Sequence, residues 1–225
     1  MLDIVDFHAH ILPGADHGSG SVETSMWQIQ SAASHGVTRI IATPHFYPQK
    51  HSVESFLERR DAAYNLLIKN VDKSTSIKLG AEVLICPGIE NMPGLEKLFI
   101  RGTNTLLLEL PFAGYDDAFS TTVKELRSRG VDVIMAHADR YDSRVVDHML
   151  RAGARIQLNA SSLVGFFRRK SVLQWLDLSY VVALGSDIHQ MDKEAYKNFA
   201  SAISRISDKA ELIKKESDII FSKAK

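Results

Sequence analysis

Six strand-like apolar runs along this chain each lead into a histidine or a carboxylate. The first run, residues 2–7, leads into the sequence Asp6-Phe7-His8-Ala9-His10. Because side chains alternate along a strand, His8 and His10 lie on one face, with Asp6 below them. Two imidazoles that converge at a strand end are typical of half a divalent-metal site. A pair of surface histidines in a turn is the alternative, but the recurrence of the pattern favours the metal site.

Five later runs follow the same pattern. Each is rich in apolar residues, and an ionisable group that follows such a buried run carries a desolvation cost. A shared cluster of cations removes that cost. The runs, with the ionisable residues that follow them, are 38–42 with His45, 77–80 with Glu82, 105–108 with Glu109, 131–136 with His137, Asp139 and Arg140, and 181–184 with Asp187 and His189.

Helix-like segments alternate with these strands, and about seven βα units result. Repeated βα units imply a parallel sheet with right-handed crossovers. Since the ionisable groups lie at the carboxyl ends of the strands, we expect an α/β fold, a TIM-like barrel, with an open doubly wound sheet as the alternative. No glycine fingerprint of a dinucleotide site or P-loop is present. The helices are expected at 22–34, 52–69, 93–99, 119–129, 141–152, 171–176, 193–206 and 210–222, with a further strand at 155–159.

Length and composition narrow the class of protein. The 225 residues, without an internal linker, favour a single domain covering 1–225. Lys plus Arg equals Asp plus Glu at 27 each, so we expect no nucleic-acid partner. Met1 runs directly into a strand and no apolar stretch spans a bilayer, so we expect neither a signal peptide nor stable membrane insertion. The single cysteine, Cys86, excludes an internal disulfide and suits a reducing, cytoplasmic location.

The candidate ligands are histidines and carboxylates without a thiolate, a set that suits Mn, Fe or Zn. They outnumber the four positions of a tetrahedral site, so we expect two or three divalent ions that share a bridging carboxylate. Such sites activate water and hold phosphoryl oxygens. The candidates are His8, His10, Asp16, His45, Glu82, Glu109, His137, Asp187 and His189.

Together these motifs resemble the PHP (polymerase and histidinol phosphatase) superfamily. They are most similar to its bacterial manganese-dependent protein-tyrosine phosphatases of capsule and exopolysaccharide loci. The similarity runs from about residue 4 to about residue 189. The segments that carry it are DFHAHILPGADHGSGS, ATPHFYP, LLLELPF, AHADRY and GSDIH.

The resemblance implies a distorted (β/α)7 barrel with three metal ions. These ions are expected to be Mn²⁺, with Fe or Zn as alternatives. His8, His10, Glu82 and Asp187 would hold one ion, Glu82, Glu109 and His137 a second, and Asp16, His45 and His189 a third.

The implied activity is that of a metal-dependent phosphatase. A metal-bridging hydroxide would attack the phosphorus of phosphotyrosine on the tail of a cognate tyrosine kinase of polysaccharide export. Catalytic roles then fall to Arg140, Asp187 and His189. Arg140 matches the arginine that grips the substrate phosphate, because a guanidinium fork suits phosphoryl oxygens.

The sequence departs from that family pattern at three places. The family usually has a second acidic residue after the position of Asp16, but this chain has His17 there. His17 could be an extra ligand, a proton shuttle or a solvated loop residue. The family usually has Pro-Glu after the position of His137, but this chain has Ala138-Asp139 there. A second arginine is missing after the last motif, where Lys193 could bind substrate as a point charge rather than a fork.

Other functions remain open on the sequence alone. The same site could hydrolyse histidinol phosphate or another small phosphomonoester, or serve a phosphodiesterase or exonuclease. An amidohydrolase and a non-catalytic domain are further alternatives. A cysteine-based phosphatase needs an arginine six residues after its nucleophile, but Met92 occupies that position after Cys86.

Phe46 and Tyr47 could stack on an aromatic leaving group or pack at the rim, and 166–170 could contact an acidic peptide or phosphate.

Overall fold

All strands belong to one parallel sheet in this computed structural model, which describes residues 4–111, 115–164 and 170–225. Their order is β3-β5-β6-β7-β8-β9-β1-β2-β4. The strands are β1 (Val5–Ala9), β2 (Arg39–Ala42), β3 (His45–Phe46), β4 (Ser76–Leu79), β5 (Glu82–Leu84), β6 (Thr105–Glu109), β7 (Asp132–Met135), β8 (Arg155–Asn159) and β9 (Val181–Gly185).

Two pairs of these strands are halves of longer extended segments. Only residues 43–44 separate β2 from β3, and only residues 80–81 separate β4 from β5. The register is the same on both sides of the break, since Ala42 pairs with Leu79 and His45 pairs with Glu82. The amide of Glu82 also donates to the carbonyl of Pro44 at 3.1 Å. The nine strands therefore form seven segments.

These seven segments close into a ring. β1 pairs with β2 on one side and with β9 on the other, and the remaining neighbours follow in chain order. Register shifts interrupt β1 after Asp6 and β8 between Ile156 and Gln157. The expected distorted (β/α)7 barrel is thus confirmed, and the open doubly wound alternative is wrong.

Helices connect most strands, and capping residues define where several of them begin. Ser21 and Ser52 accept hydrogen bonds from the backbone amides of Thr24 and Ser55, which caps α1 and α2. The helices of the described residues are α1 (Val22–Ser34), α2 (Val53–Leu67), α3 (Ala118–Ser128), α4 (Ser143–Arg151), α5 (Lys170–Asp177), α6 (Ala195–Arg205) and α7 (Ser207–Lys223).

The helix expected at 93–99 is wrong in type. The connection from β5 to β6 holds two short 3-10 turns instead, Ile89–Asn91 and Leu95–Leu98. Gly88 and Gly94 precede them with φ of 83° and 81°, a left-handed conformation that does not continue an α-helix. The connection from β5 to β6 therefore contains no α-helix.

The last helix, α7, covers the end of the barrel opposite the ionisable groups. Arg39 and Arg155, the first residues of β2 and β8, make ion pairs with Asp218 and Glu216 of α7. Ile220 and Phe221 of the same helix belong to a buried apolar cluster with residues of the strands. Through these two residues, α7 packs onto the strands.

Several expectations fall on residues outside the described part of the chain. These are 2–3 of the first strand, Phe112 of the LLLELPF motif and 166–169 of the aromatic-basic segment. No helix in the described residues is long and apolar enough to cross a membrane. A single domain covering 1–225 stays a prediction.

Candidate metal centre

The predicted ligands converge at the carboxyl-terminal mouth of the barrel. His8, Glu109 and Asp187 come from the ends of β1 and β6 and the residues after β9, which are distant in sequence. Most of these side chains are buried, and His8 and His10 are 0% exposed. Buried imidazoles and carboxylates need partners, which here are one another.

The four residues that the family resemblance assigns to one ion lie close together. The Nε2 atoms of His8 and His10 lie 3.2 and 3.3 Å from Oε2 of Glu82. The same two nitrogens lie 3.7 and 3.4 Å from Oδ1 of Asp187. A cation among these atoms would meet two imidazoles and two carboxylates, a donor set that suits Mn, Fe or Zn.

Glu82 joins this group to a second one. Its Oε1 lies 2.8 Å from Nε2 of His137, and its Oε2 lies 2.8 Å from Nδ1 of His45. Glu109 completes the second group, with Oε1 3.6 Å from Nε2 of His137 and Oε2 3.8 Å from Nδ1 of His45. The carboxylate of Glu82 therefore has the central position that the bridging prediction requires.

Three imidazoles are oriented by acceptors on Nδ1. His8 Nδ1 donates to Oε1 of Gln157 at 3.1 Å, and His10 Nδ1 donates to Oδ2 of Asp16 at 2.7 Å. His189 Nδ1 donates to the backbone carbonyl of Asp187 at 3.0 Å. In each neutral ring the lone pair is then on Nε2, which is the atom free to bind an ion.

The arrangement of these nitrogens fits a cation. Nε2 of His8 and Nε2 of His10 lie 3.0 Å apart, so two lone pairs face each other unless a proton or a metal ion lies between them. Nε2 of His189 is buried and accepts no hydrogen bond from the described residues. The ligand atoms of His10, His45 and His189 also lie within 4.8 Å of one another.

Asp16 and His17 differ in their placement. Both oxygens of Asp16 are engaged, because Oδ2 accepts from His10 and from the amide of His45 at 2.9 Å, and Oδ1 accepts from the amide of Gly18 at 2.8 Å. The exposed ring of His17 stacks on His45 at 4.7 Å and lies 4.8 Å from the ring of His189. His17 is thus at the mouth, and Asp16 as an ion ligand stays a prediction.

The close packing of these ionisable side chains shifts their pKa values. Burial lowers the pKa of His137, but hydrogen bonds to Glu109 and Glu82 outweigh burial and raise the pKa to about 9. Burial raises the pKa of Glu82, yet the surrounding imidazoles hold it well below its usual range. Burial and the neighbouring His10 lower the pKa of His189 to about 4, so this ring is neutral near pH 7.

Arg140 lies beside the first group. Its guanidinium makes an ion pair with Oδ2 of Asp187, and Nδ2 of Asn159 donates to the same oxygen at 2.9 Å. Oδ1 of Asp187 therefore remains for the imidazoles. Asp187 and His137 have left-handed φ angles of 52° and 31°, a conformation that costs energy in side-chain-bearing residues and clusters at functional sites.

Sequence reasoning missed the residues that support the ligands. Asp6, which the first motif places below the histidines, accepts hydrogen bonds from Ser186 and from the hydroxyl of Tyr196 at 2.9 Å. The 0% exposed Gln157 and the 4% exposed Asn159 were also missed. Polar side chains alternating within an apolar strand were the available signal for these two.

The remaining candidates lie farther out. Lys193 is exposed in the turn before α6. Phe46 is buried and packs edge-on against Phe56 at 5.3 Å, which confirms rim packing for this residue. Tyr47 is partly exposed and stacks on His45 at 5.2 Å, so it lies at the mouth.

A parallel barrel with clustered imidazoles and carboxylates at its mouth has the architecture of the metal-dependent hydrolases. The family model for capsular polysaccharide synthesis proteins, CpsB/CapC, matches residues 4–223. The chain therefore belongs to the CpsB/CapC family, and the resemblance inferred from its motifs is confirmed.

Two relatives have similar lengths. The chain is 26% identical over 199 residues to the tyrosine-protein phosphatase YwqE of Bacillus subtilis (strain 168). The aligned region covers 84% of this chain and 78% of that protein. This chain is also 30% identical over 207 residues to the CapC protein of Staphylococcus aureus. That aligned region covers 86% of this chain and 80% of the CapC protein.

Solved structures share the fold. A crystal structure from work on YwqE of B. subtilis and CpsB of Streptococcus pneumoniae, described as unique metal-dependent tyrosine phosphatases, superposes with a TM-score of 0.80. It is 22% identical, and the match covers 99% of this chain and 96% of that chain. The TatD homologue YjjV of Escherichia coli K12 superposes with a TM-score of 0.57 at 12% identity and covers 99% of both chains.

Proposed function

We propose that this chain is a metal-dependent protein-tyrosine phosphatase. One observation carries the proposal: buried imidazoles and carboxylates from six segments of the barrel converge at one mouth, with Arg140 bound to Asp187 beside them. Multi-metal sites of this kind hydrolyse phosphate esters. The tyrosine-protein phosphatase named among the relatives supports the choice of substrate.

The proposed ligand sets follow the groups described above. His8, His10, Glu82 and Asp187 hold one ion, and Glu82, Glu109 and His137 hold the second. His45 and His189 would hold a third ion with Asp16. We propose two or three ions in the centre, according to whether this third set is filled. We propose Mn²⁺ as the physiological metal, with Fe or Zn also compatible with these ligands.

The chain's own residues position the substrate. Bound divalent ions would supply Lewis acidity and lower the pKa of water. The guanidinium of Arg140 offers a planar fork to phosphoryl oxygens, and its ion pair with Asp187 fixes where that fork points. Lys193, an exposed residue four positions after His189, would add a positive charge for the phosphate or for an acidic peptide.

The natural substrate is the finer part of this proposal. The chain belongs to a family of capsular polysaccharide synthesis proteins, which supports a phosphotyrosine tail on a cognate tyrosine kinase as its substrate. We propose that this reaction takes place in the cytoplasm. The partly exposed ring of Tyr47 stacks on His45, so the aromatic ring of a phosphotyrosyl ester could pack beside it.

The test measures phosphate release from a phosphotyrosyl peptide, p-nitrophenyl phosphate and histidinol phosphate, with Mn²⁺ and with chelator. We expect chelator-sensitive activity that is greatest on the peptide. Preference for histidinol phosphate would contradict the protein-phosphatase assignment, and no release from a metal-loaded sample would contradict phosphatase activity altogether. His51→Ala, outside the centre, is the control variant and should retain wild-type rates.

A further inference from the structure

The strand β8 differs from every other segment of the barrel. Each other segment supplies a proposed ion ligand at or just beyond its carboxyl end, whereas β8 (Arg155–Asn159) supplies two amides, Gln157 and Asn159. Their spacing places both side chains on one face of the strand. Buried amides are costly unless their polar atoms are paired, so their partners indicate what they do.

Gln157 contacts two proposed ligands from different strands. Its Oε1 accepts from Nδ1 of His8 at 3.1 Å and from the backbone amide of His137 at 2.7 Å. Because an amide N–H is already donated to this atom, it must be the oxygen of Gln157. The contact then requires Nδ1–H on His8, which leaves Nε2 for an ion.

Asn159 extends the contact to a third ligand. Nε2 of Gln157 donates to Oδ1 of Asn159 at 3.1 Å, and Nδ2 of Asn159 donates to Oδ2 of Asp187 at 2.9 Å. The backbone amide of Asn159 in turn donates to Oδ1 of Asp139 at 2.8 Å. Two side-chain amides thus connect a ligand within β1 to ligands just after β7 and β9.

Close packing holds the side chain of Gln157 in place. Gly185 of β9 lies so near that a Cβ added to it would be 2.6 Å from Cβ of His8 and 2.7 Å from Nε2 of Gln157. Such distances are below van der Waals contact, so Gly185 is required for this approach of the three strands.

We propose that Gln157 and Asn159 are positioning residues that hold His8, His137 and Asp187 in their ion-binding orientation. The proposal rests on the proposed function, because it takes these three residues as ion ligands. Gln157 selects the tautomer of His8, and Asn159 turns Asp187 so that Oδ1 faces the imidazoles. Partners of this kind contribute about 10- to 100-fold to metal affinity.

The test compares Gln157→Leu with Gln157→Glu by measuring the Mn²⁺ dissociation constant. Leucine removes the acceptor, so we expect Mn²⁺ to bind about 10- to 100-fold more weakly. Glutamate keeps the acceptor for His8 but loses the amide donor to Asn159, so its Mn²⁺ affinity should be higher than that of Gln157→Leu. A role in packing alone predicts the reverse order, because leucine is tolerated in a core and an extra buried carboxylate is not.

Two further measurements keep the proposal falsifiable. ¹⁵N NMR of the metal-free protein should show His8 protonated at Nδ1 in the wild type, with this preference lost in Gln157→Leu. If Gln157→Leu does not fold, Asn159→Ala serves instead and should also weaken Mn²⁺ binding about 10-fold or more. The exposed Gln174→Leu is the matched control and should bind Mn²⁺ as the wild type does.

The outcomes separate the two proposals. Wild-type protein that neither binds Mn²⁺ nor releases phosphate would overturn the proposed function. Wild-type protein that binds Mn²⁺, with Gln157→Leu unchanged or Gln157→Glu weaker than Gln157→Leu, would overturn only the positioning role.

Discussion

At the scale of single residues, the orientation of each imidazole decides what the mouth can bind. His8, His10 and His189 each use Nδ1 as a donor to a different acceptor, a side-chain amide, a carboxylate and a backbone carbonyl. The first motif predicts that two of these rings converge, but not which nitrogen faces inward. That choice depends on Gln157 and Asp16, which no local pattern connects to His8 and His10.

Loss of a central ligand should abolish activity without unfolding the protein. Asp187→Ala removes a carboxylate that lies within 3.7 Å of two imidazoles. We expect phosphate release to fall by more than about 100-fold, since even outer partners of ligands contribute 10- to 100-fold. Bound manganese, counted by elemental analysis, should fall with it. Near-full activity with full metal content would contradict the assignment.

Arg140 should affect substrate binding more than metal binding. Arg140→Lys keeps the positive charge beside Asp187 but loses the planar fork. We expect kcat/KM for a phosphotyrosyl peptide to fall about 10-fold or more, the loss of one bidentate interaction, at unchanged Mn²⁺ stoichiometry. Steady-state kinetics and metal analysis on the same samples measure both. An unchanged kcat/KM would mean that Arg140 does not bind the phosphate.

Tyr47 offers a test of preference for aromatic substrates. Its partly exposed ring stacks on His45 at the mouth, so a phenyl leaving group could pack against it. We expect Tyr47→Ala to lower kcat/KM for a phosphotyrosyl peptide about 3- to 10-fold relative to a phosphoseryl peptide, the size of one aromatic pair. Tyr180→Ala, an exposed tyrosine elsewhere, is the control. An unchanged ratio would assign Tyr47 to packing alone.

At the scale of elements, six of the seven segments of the barrel bring their ligands to the same end. Long apolar strands and capped helices were predictable, and the observed β8 and α1 have the predicted bounds. The short strands β3 and β5 were not, because two or three residues carry no periodic signal. They become strands only through pairing with each other, which brings His45 beside Glu82.

The helix α7 should stabilise the barrel without affecting the centre. Phe221 is 7% exposed and packs at the end of the barrel opposite the mouth. We expect Phe221→Ala to lower the free energy of unfolding by about 3–5 kcal/mol in urea titrations. Activity per folded molecule should not change. The more exposed Leu212→Ala on the same helix should cost little, and equal losses for both variants would contradict this packing.

At the scale of the whole molecule, the metal centre and the stability of the barrel are linked. In the metal-free protein, the pKa of His137 is raised to about 9 by Glu109 and Glu82 despite burial. A raised histidine pKa stabilises the fold fully below the unfolded value of about 6.5, and this stabilisation is lost as the pH rises through about 9.

Chelator-treated protein should therefore lose stability as the pH rises. We expect its free energy of unfolding to fall by at least about 1 kcal/mol between pH about 6.5 and 9. Mn²⁺ should reverse this trend, because ions bind unprotonated imidazole and their binding releases protons. Thermal unfolding at several pH values, with and without Mn²⁺, measures it. Stability that rises over this range in chelator would contradict the account.

The sequence predicted the barrel and its mouth because both depend on repeated local patterns. The supporting residues escaped prediction for a physical reason, since Gln157, Asn159 and Asp6 act through contacts across strands that only the closed barrel creates. Likewise, Asp16 has the predicted location, but its hydrogen bonds to His10 and His45 depend on the loop geometry.

The measurement that tests the central claim most directly is a Mn²⁺ titration of the chelated protein. Bound manganese and phosphate release from a phosphotyrosyl peptide are followed in the same sample. The account predicts that activity rises from zero as the centre fills, to a plateau at two or three ions per chain. Hydrolysis in the metal-free protein, or none at full occupancy, would contradict it.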